Sequence, residues 1–299
     1  MVNQQVHLPL LSKNNVSLFI KREDLLHPFV SGNKFRKLKY NLEDASSGGF
    51  ETILTFGGAY SNHIVATAYA GKKNGFKTIG VIRGEELQSK WLENPTLKFA
   101  YEQDMQFKFV SRESYREKKQ TGFLKALEAE YGSCFILPEG GTNFAAIKGC
   151  EEILTGEDAG FDFICCCVGT GGTLAGIVNA SLPNQQVLGF PAIRGGFIKE
   201  DIRKFTTKKN WDLKVDHHFG GYGKVTQELV IFINDFKERT AIPLDPVYTG
   251  KMLFGVLDLV KSGFFPKGSK ILAIHSGGLQ GISGMNQVLK RKKIPQLDL

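Results

Sequence analysis

From residue 51 onward, short apolar runs rich in β-branched and aromatic residues alternate with longer stretches whose apolar positions recur at helical spacing. A run with almost no polar position is a strand buried on both faces, and such runs separated by helices build a parallel sheet covered by helices. The pattern predicts strands at Thr52–Phe56, Thr78–Ile82, Gln106–Val110, Cys134–Leu137, Phe163–Val168, Gln186–Phe190 and Lys270–Ile274. The segment before residue 51 reads differently: Ser17–Lys21 is extended, Leu26-His-Pro-Phe29 is turn-like, and a helix begins near Asn33. The expected fold class is α/β, and breaks near Gly48-Gly49 and between Gly140 and Asn143 are the expected crossings between two domains.

Four of the predicted strands run into clusters of glycine and hydroxyl residues: Gly57-Gly-Ala-Tyr-Ser61, Glu139-Gly-Gly-Thr142, Gly169-Thr-Gly-Gly-Thr173 and Ser276-Gly-Gly278. In open α/β sheets the ligand crevice lies outside the carboxyl ends of the strands, so four such loops converge on one site. The loop after Phe163–Val168 is the most informative. Gly169, Gly171 and Gly172 allow a tight turn and close approach of the backbone, and the helix that follows points its free amides and positive dipole end at an anion. A phosphate is the expected guest; for one loop alone, a turn without a ligand is the competing reading. The Walker A pattern is absent, and Leu174 occupies the place of the third glycine of a dinucleotide fingerprint, which argues against an NTPase and against a Rossmann dehydrogenase.

Composition narrows the class. The 299 residues are 42% hydrophobic and 23% charged, enough for a large core and for about two domains. No apolar run is long enough to span a bilayer and the N-terminus has no secretory pattern, so a cytoplasmic location is expected. The five cysteines (134, 150, 165, 166 and 167) show no metal-like spacing and read as small core residues, three of them in one buried strand. The net charge of +8 is spread along the chain; Lys199–Lys209 reads as a solvated helix face and Lys290–Lys293 as a C-terminal tail, rather than as nucleic-acid sites. Six scattered histidines suggest no metal site, and His63 and His275 are expected to orient loops.

One lysine changes the chemistry. Lys34 follows Ser31-Gly32-Asn33 where a turn becomes a helix, which brings an amine to the edge of the cleft beside the cations of Arg36 and Lys37. A lysine able to form a Schiff base, a phosphate cradle and hydroxyls at the same strand ends are together what pyridoxal phosphate asks of a protein.

The blocks Ile20-Lys-Arg-Glu-Asp-Leu25, Ser31-Gly-Asn-Lys-Phe-Arg-Lys-Leu38, Gly57-Gly-Ala-Tyr-Ser-Asn-His63, Gly169-Thr-Gly-Gly-Thr173 and Leu244-Asp-Pro-Val-Tyr-Thr-Gly-Lys251 occur in that order over most of the chain. Together they resemble the 1-aminocyclopropane-1-carboxylate deaminase and D-cysteine desulfhydrase family of fold-type II pyridoxal-phosphate enzymes. The resemblance implies an α/β fold with two open, twisted, mostly parallel sheets flanked by helices. It implies a large cofactor domain of residues 1–45 and 144–299, a small domain of residues 46–143, and a homodimer acting on a small amino acid, with no nucleic acid or membrane as partner. It further implies that Lys34 carries pyridoxal 5'-phosphate and moves the substrate α-proton, that Asn62 bonds the ring hydroxyl, and that Ser61 contacts the substrate carboxylate. The phosphate falls to Gly169, Thr170, Gly171, Gly172 and Thr173 with Lys37, and Tyr222 and Tyr248 face the substrate.

Two positions bear on the reaction. The family's deaminases carry a glutamate after the tyrosine equivalent to Tyr248 and a leucine before the last glycine pair, where its desulfhydrases carry hydroxyl residues; this chain has Thr249 and Ser276. A hydroxyl at the pyridine nitrogen leaves a weaker electron sink than a carboxylate, sufficient for expelling a good β-leaving group such as thiolate. The expected reaction is therefore α,β-elimination from D-cysteine to pyruvate, sulfide and ammonia, with cyclopropane ring opening to 2-oxobutanoate and ammonia as the alternative. Tyr60 stands where the family usually has glutamine, a larger group at the substrate pocket, and the chain is somewhat shorter than the family pattern.

Overall fold

The computed structural model describes residues 2–195 and 197–298, with the backbone alone of Phe197. Among the described residues ten strands form two sheets: β1 (Asn3–Val6), β2 (Ser17–Lys21), β3 (Thr52–Gly57), β4 (Lys77–Arg83), β5 (Met105–Val110), β6 (Phe135–Leu137), β7 (Phe163–Val168), β8 (Gln186–Pro191), β9 (Trp211–Leu213) and β10 (Lys270–Ile274). The larger sheet has the order β1-β2-β10-β7-β8-β9 and the smaller the order β5-β4-β3-β6. All neighbours are parallel except β1, which runs antiparallel to β2. Both sheets are flanked by helices, as expected for the α/β class.

The eight segments expected to be extended are all strands, and Ser17–Lys21, Phe163–Val168 and Lys270–Ile274 have the expected limits. β1 and β9 are additional. They are edge strands of four and three residues with no fully apolar run, so the criterion of burial on both faces passes over them. In β7, side-chain alternation sends Cys165 and Cys167 into one core cluster and Cys166, with Cys150, into the cluster on the other face. Cys134 departs from the expectation of core cysteines: it precedes β6 and is only partly buried. The basic run at 290–293 also differs from a tail, since Lys290 and Arg291 close the last turn of the helix Ile282–Arg291, where cations favour the dipole.

The helix Asn33–Ser47 links the two sheets. Leu38 and Ala45 pack with Ile53, Ala66, Ala70 and Leu137 of the smaller sheet and its cover, whereas Arg36 reaches Glu23, which follows β2. Its start is set by Gly32, at φ +60, where a Cβ would lie 2.0 Å from the carbonyl oxygen of Ser276. Only glycine lets the two loops approach so closely.

Candidate active site

The charged motif at residues 20–25 is an anchor rather than a catalytic element. Lys21 pairs with Asp158, Arg22 with Asp24, and Glu23 with Arg36, all with at least one fully buried partner. The bidentate Glu23–Arg36 contact, at 2.9 and 3.0 Å, fixes the first turn of the helix Asn33–Ser47. That turn carries Lys34 and Lys37 on one side.

The four strand-end loops meet there. The amide of Asn33 donates to the Ser276 carbonyl at 3.2 Å, and the Asn33 side-chain amide donates to Thr173 Oγ1 at 2.7 Å. Thr142 and Thr170 share a hydroxyl–hydroxyl bond, and Lys37 Nζ donates to Thr142 Oγ1 and to the Gly140 carbonyl, each at 2.9 Å. A Cβ on Gly278 would meet Asn62 Nδ2 at 3.0 Å, and one on Gly141 would meet the His63 ring at the same distance. Residues 57–63, 139–142, 169–173 and 276–278 therefore share one site with the helix of Lys34.

The residues present fit pyridoxal phosphate. Gly171, at φ +85, turns the chain into the helix Gly172–Ala180, whose first amides face the loop. A Cβ on Gly172 would stand 3.2 Å from Lys37 Nζ, so the ammonium and the helix amides address the same space. Lys37 is buried and, among the described residues, pairs with no carboxylate. Burial first, and then the charge of Lys34, lower its pKa to about 7. Burial likewise lowers the pKa of Lys34, whose Nζ lies 3.3 Å from Asn33 Oδ1. Two neighbouring amines with depressed pKa values and, among the described residues, no carboxylate bonded to either form a site that suits an anion and offers a nucleophile.

On the substrate side, Ser61 caps the helix Asn62–Lys73 by accepting from the Ile64 amide at 3.4 Å, which leaves the first helical amides open to a carboxylate. Tyr248 covers the exit of β7, since a Cβ on Gly169 would lie 3.2 Å from its ring. Tyr222 meets it edge to face with ring centroids 6.1 Å apart. Burial raises the phenol pKa of Tyr248 well above its usual value, so it is protonated at neutral pH. Tyr60 is 45% exposed and turns onto the helix Ile282–Arg291, where a Cβ on Gly284 would be 2.8 Å from its ring.

Thr249 and Ser276 stand in unlike surroundings. The Thr249 hydroxyl accepts from the Asp245 amide at 2.9 Å and donates to the Asp245 carboxylate at 2.7 Å, with the side chain 0% exposed. Its one proton is committed within the protein. The Ser276 hydroxyl lies 3.0 Å from the Cys167 thiol. His275 donates to the Pro243 carbonyl at 2.7 Å and accepts from Gly277, holding the last glycine loop in place. His63 contacts Thr55 at 2.8 Å through Nε2, and burial, then Lys34 and Lys37, lower its pKa well below the usual imidazole value.

Sequence reasoning did not single out Glu23, Asp245 or Lys251 for a task of their own. Asp245 accepts from the amides of Val247, Tyr248 and Thr249 and so shapes the turn that presents Tyr248. A carboxylate two to four residues ahead of a helix start is the signal that was available.

A family model described as pyridoxal-phosphate dependent enzyme matches residues 3–277. A Pyrococcus horikoshii protein named "Putative 1-aminocyclopropane-1-carboxylate deaminase" is 34% identical, with 92% of this chain and 89% of that protein covered. The Arabidopsis thaliana mitochondrial bifunctional D-cysteine desulfhydrase/1-aminocyclopropane-1-carboxylate deaminase is 30% identical over 90% of this chain and 74% of its own length. A crystal structure described as an ACC deaminase homologue superposes with a TM-score of 0.84 at 30% identity, covering 97% of this chain and 94% of that one. The chain belongs to the pyridoxal-phosphate dependent enzymes of fold type II, within the family of 1-aminocyclopropane-1-carboxylate deaminases and their D-cysteine desulfhydrase relatives.

Proposed function

We propose that this enzyme deaminates a small amino acid to a 2-keto acid and ammonia, with 1-aminocyclopropane-1-carboxylate as substrate and 2-oxobutanoate as product. The observation that carries the deaminase chemistry is the pair of lysines, the half-buried Lys34 and the buried Lys37, which among the described residues have no carboxylate partner and stand against the glycine loop at residues 169–173. The substrate is supported by the names of the relatives. Pyridoxal phosphate, when bound, supplies a carbonyl for the substrate amine and a ring that accepts electrons.

The chain's own residues do the rest. Lys37 and the amides of Gly171, Gly172 and Thr173 hold the phosphate, aided by Gly169 and Thr170, and Asn62 bonds the ring hydroxyl. Ser61 and the open amides of its helix orient the substrate carboxylate. The Cα of the cyclopropane substrate carries no hydrogen, so Lys34, an amine already biased toward its neutral form, takes its proton from a ring methylene carbon, whereas in the D-cysteine reading below it takes the Cα proton. Tyr248, a protonated phenol, and Tyr222 wall the other side and place a hydroxyl for proton transfer there. The reading includes two domains, residues 1–45 with 144–299 and residues 46–143, in a homodimer located in the cytoplasm.

A second reading, α,β-elimination from D-cysteine, is favoured by the hydroxyl residues at 249 and 276. With the Thr249 proton bound to Asp245, Ser276 is the hydroxyl left to meet the pyridine nitrogen, which suits the weaker electron sink. A panel of 1-aminocyclopropane-1-carboxylate, D-cysteine, L-cysteine and D-serine, scored for keto acid, ammonia and sulfide, separates the two. 2-Oxobutanoate from the cyclopropane substrate supports the first reading, sulfide from D-cysteine with no ring opening replaces it by the second, and sulfide from L-cysteine alone sinks the D-stereochemistry.

A further inference from the structure

The motif Leu244–Lys251 ends in a residue that the proposed chemistry does not use. Lys251 lies in the first turn of the helix Thr249–Lys261 and is 2% exposed. Its ammonium donates to two backbone carbonyls, those of His218 at 2.9 Å and Gly221 at 2.8 Å, and among the described residues no carboxylate pairs with it. Burial lowers its pKa to about 8, against the opposing charge of Asp245.

A buried ammonium with carbonyl partners alone is a costly way to fill space, since methionine or leucine occupies similar volume without desolvating a charge. The geometry gives it another task. The loop it grips carries Tyr222, and its backbone belongs to neither helix nor strand: Phe219, Gly220, Gly221 and Gly223 have φ of +52, +89, +114 and +65. The carbonyls of His218 and Gly221 already accept from the amides of Gly221 and Lys224, and Lys251 completes their bonding from inside the helix. Six residues earlier, Asp245 fixes Tyr248 through three backbone amides. One short motif thus holds both tyrosines, one by a carboxylate on its own backbone and the other by an ammonium on the facing loop.

We propose that Lys251 is a positioning residue that sets where Tyr222 stands against Tyr248 and so fixes the substrate-side wall of the site. This rests on the reading above only in that Tyr222 faces the substrate. The test is Lys251→Met in the reconstituted holoenzyme, followed by hydrogen exchange, steady-state kinetics and the visible absorbance of the bound cofactor. Exchange at residues 218–223 rises about tenfold or more, as expected for losing hydrogen bonds to a charged group, while the absorbance is unchanged. The value of kcat/KM falls about tenfold, and adding Tyr222→Phe to Lys251→Met costs no more, because both act through one ring. Lys251→Gln, which keeps N–H donors, restores part of the loop protection; where the methionine variant yields no folded holoenzyme, the glutamine variant is expected to raise exchange at 218–223 by less than tenfold and only in that loop, and no rise there overturns the proposal. Unchanged exchange at 218–223, loosening spread along the whole helix Thr249–Lys261, or full additivity with Tyr222→Phe overturns the proposal. A coloured holoenzyme that turns over no amino acid overturns the functional reading instead, and the loop exchange still decides the role of Lys251.

Discussion

The two walls of the site are built by different physics. On the proposed phosphate wall, Lys37 is buried and Lys34 half-buried, the helix that carries them is clamped by Glu23–Arg36, and Asn33 bonds Thr173 and Thr142 bonds Thr170 across the loops. On the substrate wall, Tyr222 is 48% exposed, Tyr60 leans outward on Gly284, and the loop of Tyr222 relies on positive-φ glycines. A wall closed by buried charge and mutual hydrogen bonds accepts one kind of guest. A wall of partly exposed rings on a turning loop is free to suit different substrates, which is why the cofactor is legible here and the amino acid is argued from finer detail.

That contrast has measurable consequences, the largest at Lys34. Replacing it by alanine abolishes the visible absorbance of the cofactor complex and lowers kcat by about three orders of magnitude or more, read by spectrum and turnover on the same sample. A variant that stays coloured and active would break the division of labour between the walls. The clamp comes next: Glu23→Ala leaves Arg36 without its buried partner and destabilises the fold by about 3 kcal/mol in denaturant unfolding, whereas Tyr60→Ala on the open wall changes stability by well under about 1 kcal/mol.

Lys37 sharpens the comparison through pH. Its pKa in the unliganded fold is about 7 against the ordinary 10.5, and a bound phosphate dianion raises it again. Between these limits the free protein holds this amine mostly neutral and the complex holds it charged, so cofactor phosphate binds with uptake of up to one proton. Below about pH 7 the amine is charged in both states and this uptake vanishes. Calorimetry in buffers of different ionisation enthalpy at pH 8 and pH 6 measures the difference, which Lys37→Met removes. The smallest effect belongs to Tyr60→Gln, which restores the residue type usual in the family at a position packed outward. A shift in KM of about threefold, with kcat and cofactor affinity unchanged, is expected from the substrate panel.

His63 extends the contrast to folding. Buried and neutral, with its pKa pushed well below 6.5, it binds fewer protons in the fold than in the unfolded chain. Its contribution is complete above about pH 6.5 and is lost as the pH falls below it, which thermal unfolding at pH 5 and pH 7 detects and which a His63→Gln variant weakens.

Much of this arrangement is legible in the sequence. The apolar runs specified β3, β4, β7, β8 and β10 because strands buried on both faces leave little room for polar positions, while β5 and β6, the edges of the smaller sheet, showed through their aromatic and β-branched residues; glycine clusters marked where the chain turns toward a ligand. β1 and β9 were not legible, since these edge strands, unlike the equally short β6, carry polar residues in place of an apolar run. The ion pairs of Lys21 and Glu23 were present as letters in a motif, but their partners Asp158 and Arg36 are 137 and 13 positions away along the chain. The same holds for Thr249, whose hydroxyl pointed by residue type toward the cofactor and is instead bound to Asp245.

By itself the sequence determined the local chemistry of this protein: which segments are strands, where the backbone turns on glycine, and which lysine stands at a helix start beside an anion loop. These depend on neighbours in the chain, through side-chain period and backbone freedom. Only the tertiary structure decided which groups lose water and whom they meet. Burial made Lys34 and Lys37 poor holders of a proton, and turned Lys251 from the last letter of a motif into a bolt on the loop of Tyr222. Desolvation and hydrogen-bond partnership are properties of a packed site, and no spacing along the chain sets them.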